Sequence, residues 1–452
     1  MAYTYLTFGQ MKQQLFDRLG DSIFWTNSGS YPEVGLYLTE ALRVWAAASH
    51  YWKERIKFAT AADVAWYDLP STVGVMAYTV TDQQVAAEIQ YHLLEPVDPV
   101  TWTWTGTDMF TMDEVAGAIR RRRDQFLVET GTVINRNVLT VAPPPAEGRF
   151  VFPNNIPEVI DVRRVSWVDV NQAHHHLWRS DDWAATSAIP EWNINPALPA
   201  AYAVVAVPPL QIQFIPPPND VGQIDLLSTN RGPALDLSVG IALGVPDNLA
   251  WVIKWGAMAD LLGKQGQAND PERAAYCERR WREGVEIARL YSSALAASIN
   301  DVPVTIESLH NLDAYRPTWE DETHTKPDTI TLAGLNLAAL ASPPDAQYGI
   351  AMDVLRPAVI PSNDATFVQL GPEELNVVLD YALHIASFKQ GGVEFNSTVR
   401  NYENFLRLAA VHNDRIRASA IFGKVLYDRA NIEEYERPRR LPKQGSGNIL
   451  TI

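Results

Sequence analysis

The densest group of potential metal ligands in the sequence is His174-His175-His176, followed by Asp181 and Asp182. Because successive residues of a β-strand point to opposite faces, only His174 and His176 could bind one ion, with a carboxylate completing the site. Imidazole and carboxylate groups suit zinc or a related divalent metal. The surrounding HLWRSDDWAA is rich in tryptophan and turn residues, however, and favours a loop whose polar groups face solvent. The sequence therefore predicts no metal site and no cofactor.

Signals for a catalytic nucleophile or a phosphate cradle are scarce. Cys277 is the only cysteine, so an internal disulfide or a cysteine-based zinc cluster is excluded, and its helical context favours a packed structural residue. The sequence has no GxSxG, GxxxxGK[ST] or HExxH motif, no EF-hand loop, and no GxGxxG between a strand and a helix. We therefore predict no catalytic residues and a protein that is not an enzyme.

Two further motifs could bind ligands. Arg120 to Arg123 form a basic run, but four consecutive arginines on a helix point in nearly every direction and cannot follow DNA phosphates as one stripe. Ion pairs within the chain or with a partner subunit explain them better. The tryptophans of TWTWTG, residues 101–106, could stack on sugar rings. Their alternation with threonine is typical of a half-buried strand, so we favour packing.

Composition limits the class of protein. The chain has 452 residues and a formal net charge of −16, from 37 Lys+Arg and 53 Asp+Glu, which argues against a main role in gripping nucleic-acid phosphates. Apolar residues make up 47% and charged residues 20%, as in a folded protein of two or three domains. The N-terminus has no secretory pattern, and prolines interrupt the apolar stretch 197–215. We expect a soluble protein of a reducing compartment.

Helical signals open the chain. Thr7 and Gln10 have the spacing of a capping box, and the apolar residues after them share one face until Gly20. A second start at Glu33 precedes an apolar stripe that predicts one long helix as far as Ile56. Each of these amphipathic helices needs a surface to pack against.

The middle of the chain predicts strands. Short β-branched and aromatic runs separated by Pro and Gly extend from about residue 58 to 245, with one helix from Asp113 to Glu129. From Pro246 a segment that is apolar on all sides predicts a buried helix, and Asp270-Pro271 begins another that reaches about Ser298. The next segment is rich in Pro, Thr, Asp and Asn, which favours a linker or an extended arm.

These signals predict an α+β fold: a helical bundle with an inserted β-rich domain, followed by a C-terminal module of a strand and a helical hairpin. Gly222 and Pro246 have counterparts about 126 positions later at Gly349 and Pro372, so duplication and coincidence both stay open. The predicted segments are N-terminal core helices (1–60), a β-rich domain with one internal helix (61–245), a core helical hairpin (246–299), a linker or extended arm (300–342), a second strand-plus-helical module (343–430) and an extended docking tail (431–452).

The C-terminal tail combines a basic stretch, a Gly-Ser-Gly sequence and an apolar tip. This composition would not build a compact core, so we predict that the tail docks on a partner; a tail pinned by its own domain is the alternative. The predicted interface residues are Arg437, Arg439, Arg440, Ile449, Leu450 and Ile452.

Several stretches resemble the head-to-tail adaptor (connector or neck) proteins of tailed bacteriophages. They are TFGQMKQQLFDRLGD, YLTEALRVWAAASHYWKERIKF running into WYDLP, and VPDNLAWVIKWGAMADLLGKQGQANDPERAAYCERRWREGVEIARL. AIRRRRDQFLVETGTV and RFVFPNNIPEVIDVRRVSW are similar to a segment of phage neck proteins. The resemblance covers Thr7 to about Leu290, and the rest of the chain departs from the usual shorter pattern.

The resemblance implies a homo-oligomeric ring, typically of twelve subunits, below the portal protein. Such a ring continues the DNA channel and joins the capsid to the tail, with a helical bundle, a β-rich insertion and a C-terminal extension toward the portal. Expected partners are the portal protein, further copies of the chain and downstream tail or fibre proteins, whereas DNA passes through without sequence-specific binding and no membrane is involved. The expected location is the virion, after assembly in the host cytoplasm.

Two alternatives stay open. The chain could lie lower in the virion, as a tail tube, hub or fibre-anchoring protein. From a different class, it could be a virion-associated glycan hydrolase that uses paired carboxylates in a cleft. Replacing such an acidic pair would abolish hydrolysis, whereas an adaptor is expected to act on no glycan.

Overall fold

The computed structural model describes residues 4–20, 24–25, 33–69, 77–94, 109–141, 148–154, 156–188, 191–205, 210–292 and 294–422. Helices and curled sheets are both present, which confirms the predicted α+β class. Within these ranges, no helix has both the length and the apolar character that crossing a bilayer requires.

The first helix, α1 (Phe8–Leu19), begins and ends as predicted. The Thr7 hydroxyl accepts a hydrogen bond from the Gln10 amide, and the Gln10 side chain accepts one from the Thr7 amide at 3.0 Å. Gly20 ends the helix with φ of 75°, a left-handed conformation that suits glycine. Residues close together in the sequence were therefore sufficient to predict both ends of α1.

The prediction of one helix continuing through Ile56 is wrong. The second helix, α2 (Glu33–Ser49), is followed by His50 with φ of 56°, and strand β1 (Lys53–Ala59) begins three residues later. From Arg55 to Phe58, charged and apolar residues alternate with a period of two, which fits a strand that is half exposed. The position of Trp52 matches the apolar spacing of α2 only by coincidence. In the structure, Trp52 lies beyond the helix and donates its indole N–H to the Gln369 carbonyl at 3.0 Å.

The remaining helices are α3 (Asp82–His92), α4 (Met112–Thr130), α5 (Asp182–Ala188), α6 (Ala250–Leu262), α7 (Pro271–Leu290), α8 (Leu309–Tyr315), α9 (Pro372–Ser387), α10 (Gly392–Ser397), α11 (Val399–His412) and α12 (Asp414–Ala418). The helix expected from Asp113 to Glu129 is confirmed as α4. Helix α3 was not predicted, although Thr81 and Gln84 form a capping box with the same spacing as the one that begins α1.

Seven strands form the first sheet: β1, β2 (Trp66–Asp68), β10 (Ala294–Ile299), β11 (Val302–Ser308), β12 (Thr329–Ala333), β13 (Leu337–Ala341) and β14 (Gly349–Leu355). Their order is β1-β14-β10-β11-β12-β13-β2, and all neighbours are antiparallel except β11 and β12. Asn300 and Asp301 join β10 to β11 as a two-residue turn in which both have positive φ, as a type I′ turn requires.

This sheet corrects two sequence predictions. The helix expected to reach Ser298 ends at Leu290, and β10 follows it. Residues 300–342 are not a linker, because they form β11, α8, β12 and β13. The prolines and polar residues that suggested a linker are concentrated in the connection 316–328, whereas TITLA and LAALA pair as a buried hairpin.

The second sheet contains β3 (Asn135–Val141), β4 (Arg149–Val151), β5 (Val159–Val168), β6 (His174–Arg179), β7 (Ala201–Val205), β8 (Gln211–Ile215) and β9 (Gly222–Asn230). Their order is β3-β9-β5-β6-β7-β8-β4, and only β6 and β7 are parallel. We call residues 135–230 the β insertion, because they lie between helices α4 and α6 in the chain.

Two main apolar cores hold the molecule together. The longer helices and the first sheet share one core, which we call the helical core. The β insertion has its own, built around residues such as Trp167 and Phe214. A small cluster of Ile134, Leu227 and Ala333 links the two sheets. We call this contact region, together with residues 309–328, the sheet junction.

The C-terminal half contains the predicted strand and helices as β14, α9 and α11. The proposed duplication stays a prediction. Its two strands lie in different sheets, since β9 belongs to the β insertion and β14 to the first sheet.

Candidate functional site

A cavity of about 670 Å³ opens at the sheet junction. One wall comes from the β insertion and the other from β2 and the connection 316–328, which the sequence analysis had interpreted as part of a linker. The polar and aromatic lining residues include Trp66, Arg136, His174, Glu320, Asp321 and His324.

Strand β6 places the three histidines on alternating faces, as predicted. His174 Nδ1 lies 3.7 Å from Glu320 Oε2, and His176 Nδ1 lies 3.8 Å from Asp313 Oδ2. His175 points away from them and lies 3.4 Å from Asp169. The interpretation of this segment as a loop is wrong, because residues 174–177 pair with β5 as an antiparallel strand, and residues 178–179 continue the strand beside β7.

The expected acidic partners of the histidines are not the ones that the structure supplies. Asp181 accepts a hydrogen bond from the Ala184 amide at 2.7 Å and so caps α5. The Asp182 side chain lies outside the described residues. Carboxylates from the 309–328 segment approach β6 instead, and no sequence signal linked them to the histidines.

Arg164 is the central cation of the sheet junction. Its side chain is only 4% exposed, and its guanidinium donates to both oxygens of Asp313, at 2.8 and 3.0 Å, and to Glu320 at 2.9 Å. Burial opposes the charge of Arg164, but Glu320 and Asp313 outweigh it and raise its pKa. Burial also acts to raise the pKa of Glu320, and the neighbouring Arg164 outweighs it and lowers that pKa. Both shifts favour the charged forms of Arg164 and Glu320.

A third carboxylate reaches the same place from β9. Asp225 is buried, and Arg136 donates to both of its oxygens at 2.7 to 3.0 Å. One donor atom each from His174, Asp225 and Glu320 lie within 4.8 Å of one another. Trp66 closes the group by donating its indole N–H to Glu320 Oε1 at 2.9 Å. One imidazole and two carboxylates are side chains of the types that bind divalent metal ions.

Burial affects two further groups at the junction. It lowers the pKa of His176, because a buried imidazolium loses its hydration. Burial also raises the pKa of Asp321, whose carboxylate accepts a hydrogen bond from the His174 amide at 2.6 Å.

The helical core holds a second buried cation. Lys254, 1% exposed, pairs with Glu40 and lies 3.5 Å from Glu88 and 3.3 Å from His92 Nε2. Trp255 donates its indole N–H to Glu40 at 2.8 Å. Burial raises the pKa of Glu88, although Lys254 acts in the opposite direction.

A third network surrounds Arg280 on α7. Its guanidinium donates to Glu283 at 3.0 Å and to the Tyr381 hydroxyl, and lies 4.1 Å from the centre of the Tyr402 ring. The Tyr402 hydroxyl donates to Glu283 at 2.7 Å. These bonds join α7 to α9 and α11.

Three residues of the basic run are paired within the chain, as the sequence analysis favoured. Arg121 and Arg122 bind Asp260 at 3.2 and 2.6 Å, and Arg122 also binds Glu278. Arg123 is buried and binds Asp124. Arg120 is exposed. The run therefore attaches α4 to α6 and α7.

Other predicted residues are quickly placed. Cys277 is buried, and its burial raises the pKa of the thiol, in agreement with a packed structural role. The TWTWTG motif and the tail residues lie outside the described residues; the latter are Arg437, Arg439, Arg440, Ile449, Leu450 and Ile452.

The connection between β6 and β7 exposes large apolar side chains. Trp183 on α5 is 83% exposed and Trp178 is 50% exposed, and Ile194 and Leu198 follow on the same connection. Exposed tryptophans are typical of protein contact surfaces. The sequence signal was HLWRSDDWAA, which was interpreted only as a loop.

A scan against protein-family models gave no matching family, and a search of curated proteins gave no matching relative.

Proposed function

We propose that this chain is a structural virion protein, a head-to-tail adaptor that forms a ring below the portal and continues the DNA channel toward the tail. The observation that carries the proposal is that the stretches resembling adaptors pack together in the structure. They form α1, α2, α6 and α7, whose apolar residues belong to one core.

Specific contacts hold these stretches in place. Glu40 on α2 accepts from Trp255 on α6 and pairs with the neighbouring Lys254. Arg122 on α4, in another of the similar stretches, pairs with Asp260 on α6 at 2.6 Å. The resemblance is therefore carried by residues that contact one another, rather than by scattered helices, and this supports a common architecture.

The apolar surface on the β6–β7 connection supports ring assembly. Burying Trp183 and Trp178 against a neighbouring subunit would remove aromatic surface from water, the kind of contact that dominates protein interfaces. In this proposal the neighbouring copy or a downstream tail protein covers the surface. The portal is instead reached by the basic and apolar C-terminal tail.

The acidic composition fits a channel protein. With a net charge of −16, a lumen lined by carboxylates would repel DNA phosphates and let the duplex slide. If the carboxylates of the assembled ring lay only on its outer surface, this part of the proposal would be wrong.

The first test is absolute quantification of this chain relative to portal protein in purified particles by mass spectrometry. We expect a ratio near one to one, as a ring matched to the portal requires. A much lower ratio would favour a hub or fibre-anchoring protein, a much higher one a tail tube, and absence from the particle would exclude all three.

The tail provides a second test. Deleting residues 437–452 should weaken binding to portal protein in pull-down assays while leaving the thermal unfolding midpoint unchanged. Rising ionic strength should also weaken binding if the arginines dominate it, because exposed ion pairs are screened. Unfolding of the truncated chain would show that the tail is structural.

One observation favours a glycan hydrolase as a second candidate. In the junction cavity, Glu320 and Asp321 have pKa values shifted in opposite directions, as a base and an acid would need. Release of reducing ends from cell-wall glycan, lost in both Glu320→Gln and Asp321→Asn, would replace the adaptor proposal. No release by the wild-type chain would support the adaptor.

A further inference from the structure

We propose that His174, Asp225 and Glu320 bind one divalent transition-metal ion of the zinc class at the sheet junction. The three residues come from β6, β9 and the connection 316–328, and their donor atoms lie within 4.8 Å of one another. Tetrahedral zinc sites with three protein ligands use this mixture of imidazole and carboxylate donors.

Each of the three groups keeps a free lone pair after its protein hydrogen bonds are assigned. Glu320 Oε2 accepts one bond of 2.9 Å from Arg164, and Asp225 Oδ1 accepts one of 3.0 Å from Arg136. A carboxylate oxygen has capacity for two such bonds. The arginines therefore orient the carboxylates without exhausting them, as outer partners of metal ligands do.

Among the described residues, one ring nitrogen of each of two histidines lacks a hydrogen-bond partner. Nδ1 of His174 is buried and has no hydrogen-bond partner in the described part of the chain, and the same holds for Nδ1 of His176, whose side chain is only 10% exposed. A buried polar nitrogen left unpaired is costly, and such atoms are rare without an ion or a water nearby. A metal at His174 would satisfy the nitrogen that faces Glu320 at 3.7 Å.

The charges at the junction also favour a dication. Asp225, Asp313, Glu320 and Asp321 contribute −4 when ionised, and Arg136 and Arg164 contribute +2, so the group carries −2 while its histidines are neutral. One divalent ion brings this sum to zero. The excess negative charge lies beside a cavity of about 670 Å³, through which an ion and its remaining water ligand could enter.

The proposed ion would join the β insertion to the segment that packs on the first sheet. His174 and Asp225 belong to the β insertion, whereas Glu320 belongs to the segment that packs on the first sheet. A bond to each would fix the insertion relative to the helical core, adding to the Arg164 ion pairs that already cross the junction.

The test uses the untagged full-length chain, stripped with chelator and dialysed against zinc chloride. We expect about one zinc per chain by elemental analysis, a rise in the thermal midpoint, and at least about 100-fold weaker binding in His174→Ala and Glu320→Gln. His175→Ala is the matched control, because it removes an imidazole from the opposite face of the same strand. It should bind zinc as the wild type does.

Zinc-free wild-type protein, or equal binding in wild type and His174→Ala, would overturn the proposal. Should the variants fail to fold, histidine footprinting of the wild-type chain with diethyl pyrocarbonate decides. Zinc should slow modification of His174 and leave that of His310, an exposed residue on α8, unchanged. Equal rates at His174 with and without zinc would overturn the site. Because the readout is metal binding, its failure would leave the adaptor proposal untouched.

Discussion

Lys254 in the helical core and Arg164 at the sheet junction occupy similar surroundings. Each is a buried cation between two carboxylates, each lies near a tryptophan ring, and in each group a tryptophan donates to a carboxylate. The outcomes differ: Glu88 beside Lys254 has a raised pKa because of burial, whereas the pKa of Glu320 is lowered because Arg164 outweighs burial.

The difference lies in the shape of the cation. An ammonium is a point charge, so Lys254 contacts Glu40 closely and leaves Glu88 at 3.5 Å. The planar guanidinium of Arg164 reaches two carboxylates at once, at 2.8 to 3.0 Å. The helical core thus leaves one carboxylate poorly compensated, whereas at the junction Arg164 donates to both carboxylates next to a cavity.

Removing the core cation should have the largest effect. We expect Lys254→Met to lower the free energy of unfolding by about 3–5 kcal/mol, because the buried Glu40 and Glu88 would lose the ammonium that lies between them. Denaturant titration measures this. The control is Lys264→Met, which removes an exposed lysine paired with Glu114 and should cost less than about 1 kcal/mol. Equal losses would mean that burial does not decide the energy of these pairs.

Replacing the planar guanidinium of Arg164 by the ammonium of a lysine tests the comparison directly. Arg164→Lys should lower the free energy of unfolding by about 2–3 kcal/mol, because one of the two carboxylates would lose its charged hydrogen bonds. Arg55→Lys makes the same replacement in an exposed pair with Asp353 and should lower the free energy of unfolding by less than about 1 kcal/mol. If Arg164→Lys left the free energy of unfolding unchanged, the shape of the guanidinium would be unimportant at the junction.

Acid should destabilise the helical core through His384, a buried residue of α9. Burial lowers the pKa of His384 to about 3, so the unfolded chain binds this proton first as the pH falls below about 6.5. The stability contribution is present above pH 6.5 and is lost toward pH 3. Near pH 5 the loss is about 2 kcal/mol, at about 1.4 kcal/mol per pH unit.

Comparing wild type with His384→Gln at pH 7 and pH 5, by denaturant titration, isolates this contribution. The wild type should lose about 2 kcal/mol more than the variant between the two values. The same loss in both proteins would assign the acid sensitivity to another group, such as His50, whose pKa burial lowers to about 4.

The smallest expected effects are those of Glu88→Gln and Glu320→Gln, whose costs in unfolding free energy should change with pH in opposite directions. Glu88→Gln should cost about 1 kcal/mol or less, and its cost should shrink as pH rises above 4.5, because a raised pKa makes ionisation of Glu88 unfavourable in the fold. Glu320→Gln should cost more as pH rises toward about 4.5 from below and should then level off, because a lowered pKa means that Glu320 ionises in the fold before it ionises in the unfolded chain. Parallel pH profiles of the unfolding free energy would contradict the comparison.

The sequence was sufficient where the signal is local. The capping box at Thr7, the Asp270-Pro271 start of α7 and the alternation of His174 and His176 all depend on residues a few positions apart. Periodicity failed at β1, because Trp52 and Ile56 happen to fit the stripe of α2, and no local feature announces the distant strand that pairs there.

The junction could not be predicted for a related reason. Asp225 and Glu320 lie 51 and 146 positions after His174, by their residue numbers, and only the packing of two sheets brings them together. Residues 316–328 also have the composition of a linker, which concealed their contribution. The predicted tail interface stays a prediction.

The pairing of β1 with β14 has a consequence for synthesis. Lys53 pairs with Leu355, about 300 residues later, so the nascent chain carries β1 without its partner for roughly 15–60 s at 5–20 residues per second. An unpaired strand on a polysome invites aggregation between neighbouring chains. The charged side chains of Lys53, Glu54, Arg55 and Lys57 are exposed on this strand and would discourage such contacts until the ribosome delivers β14.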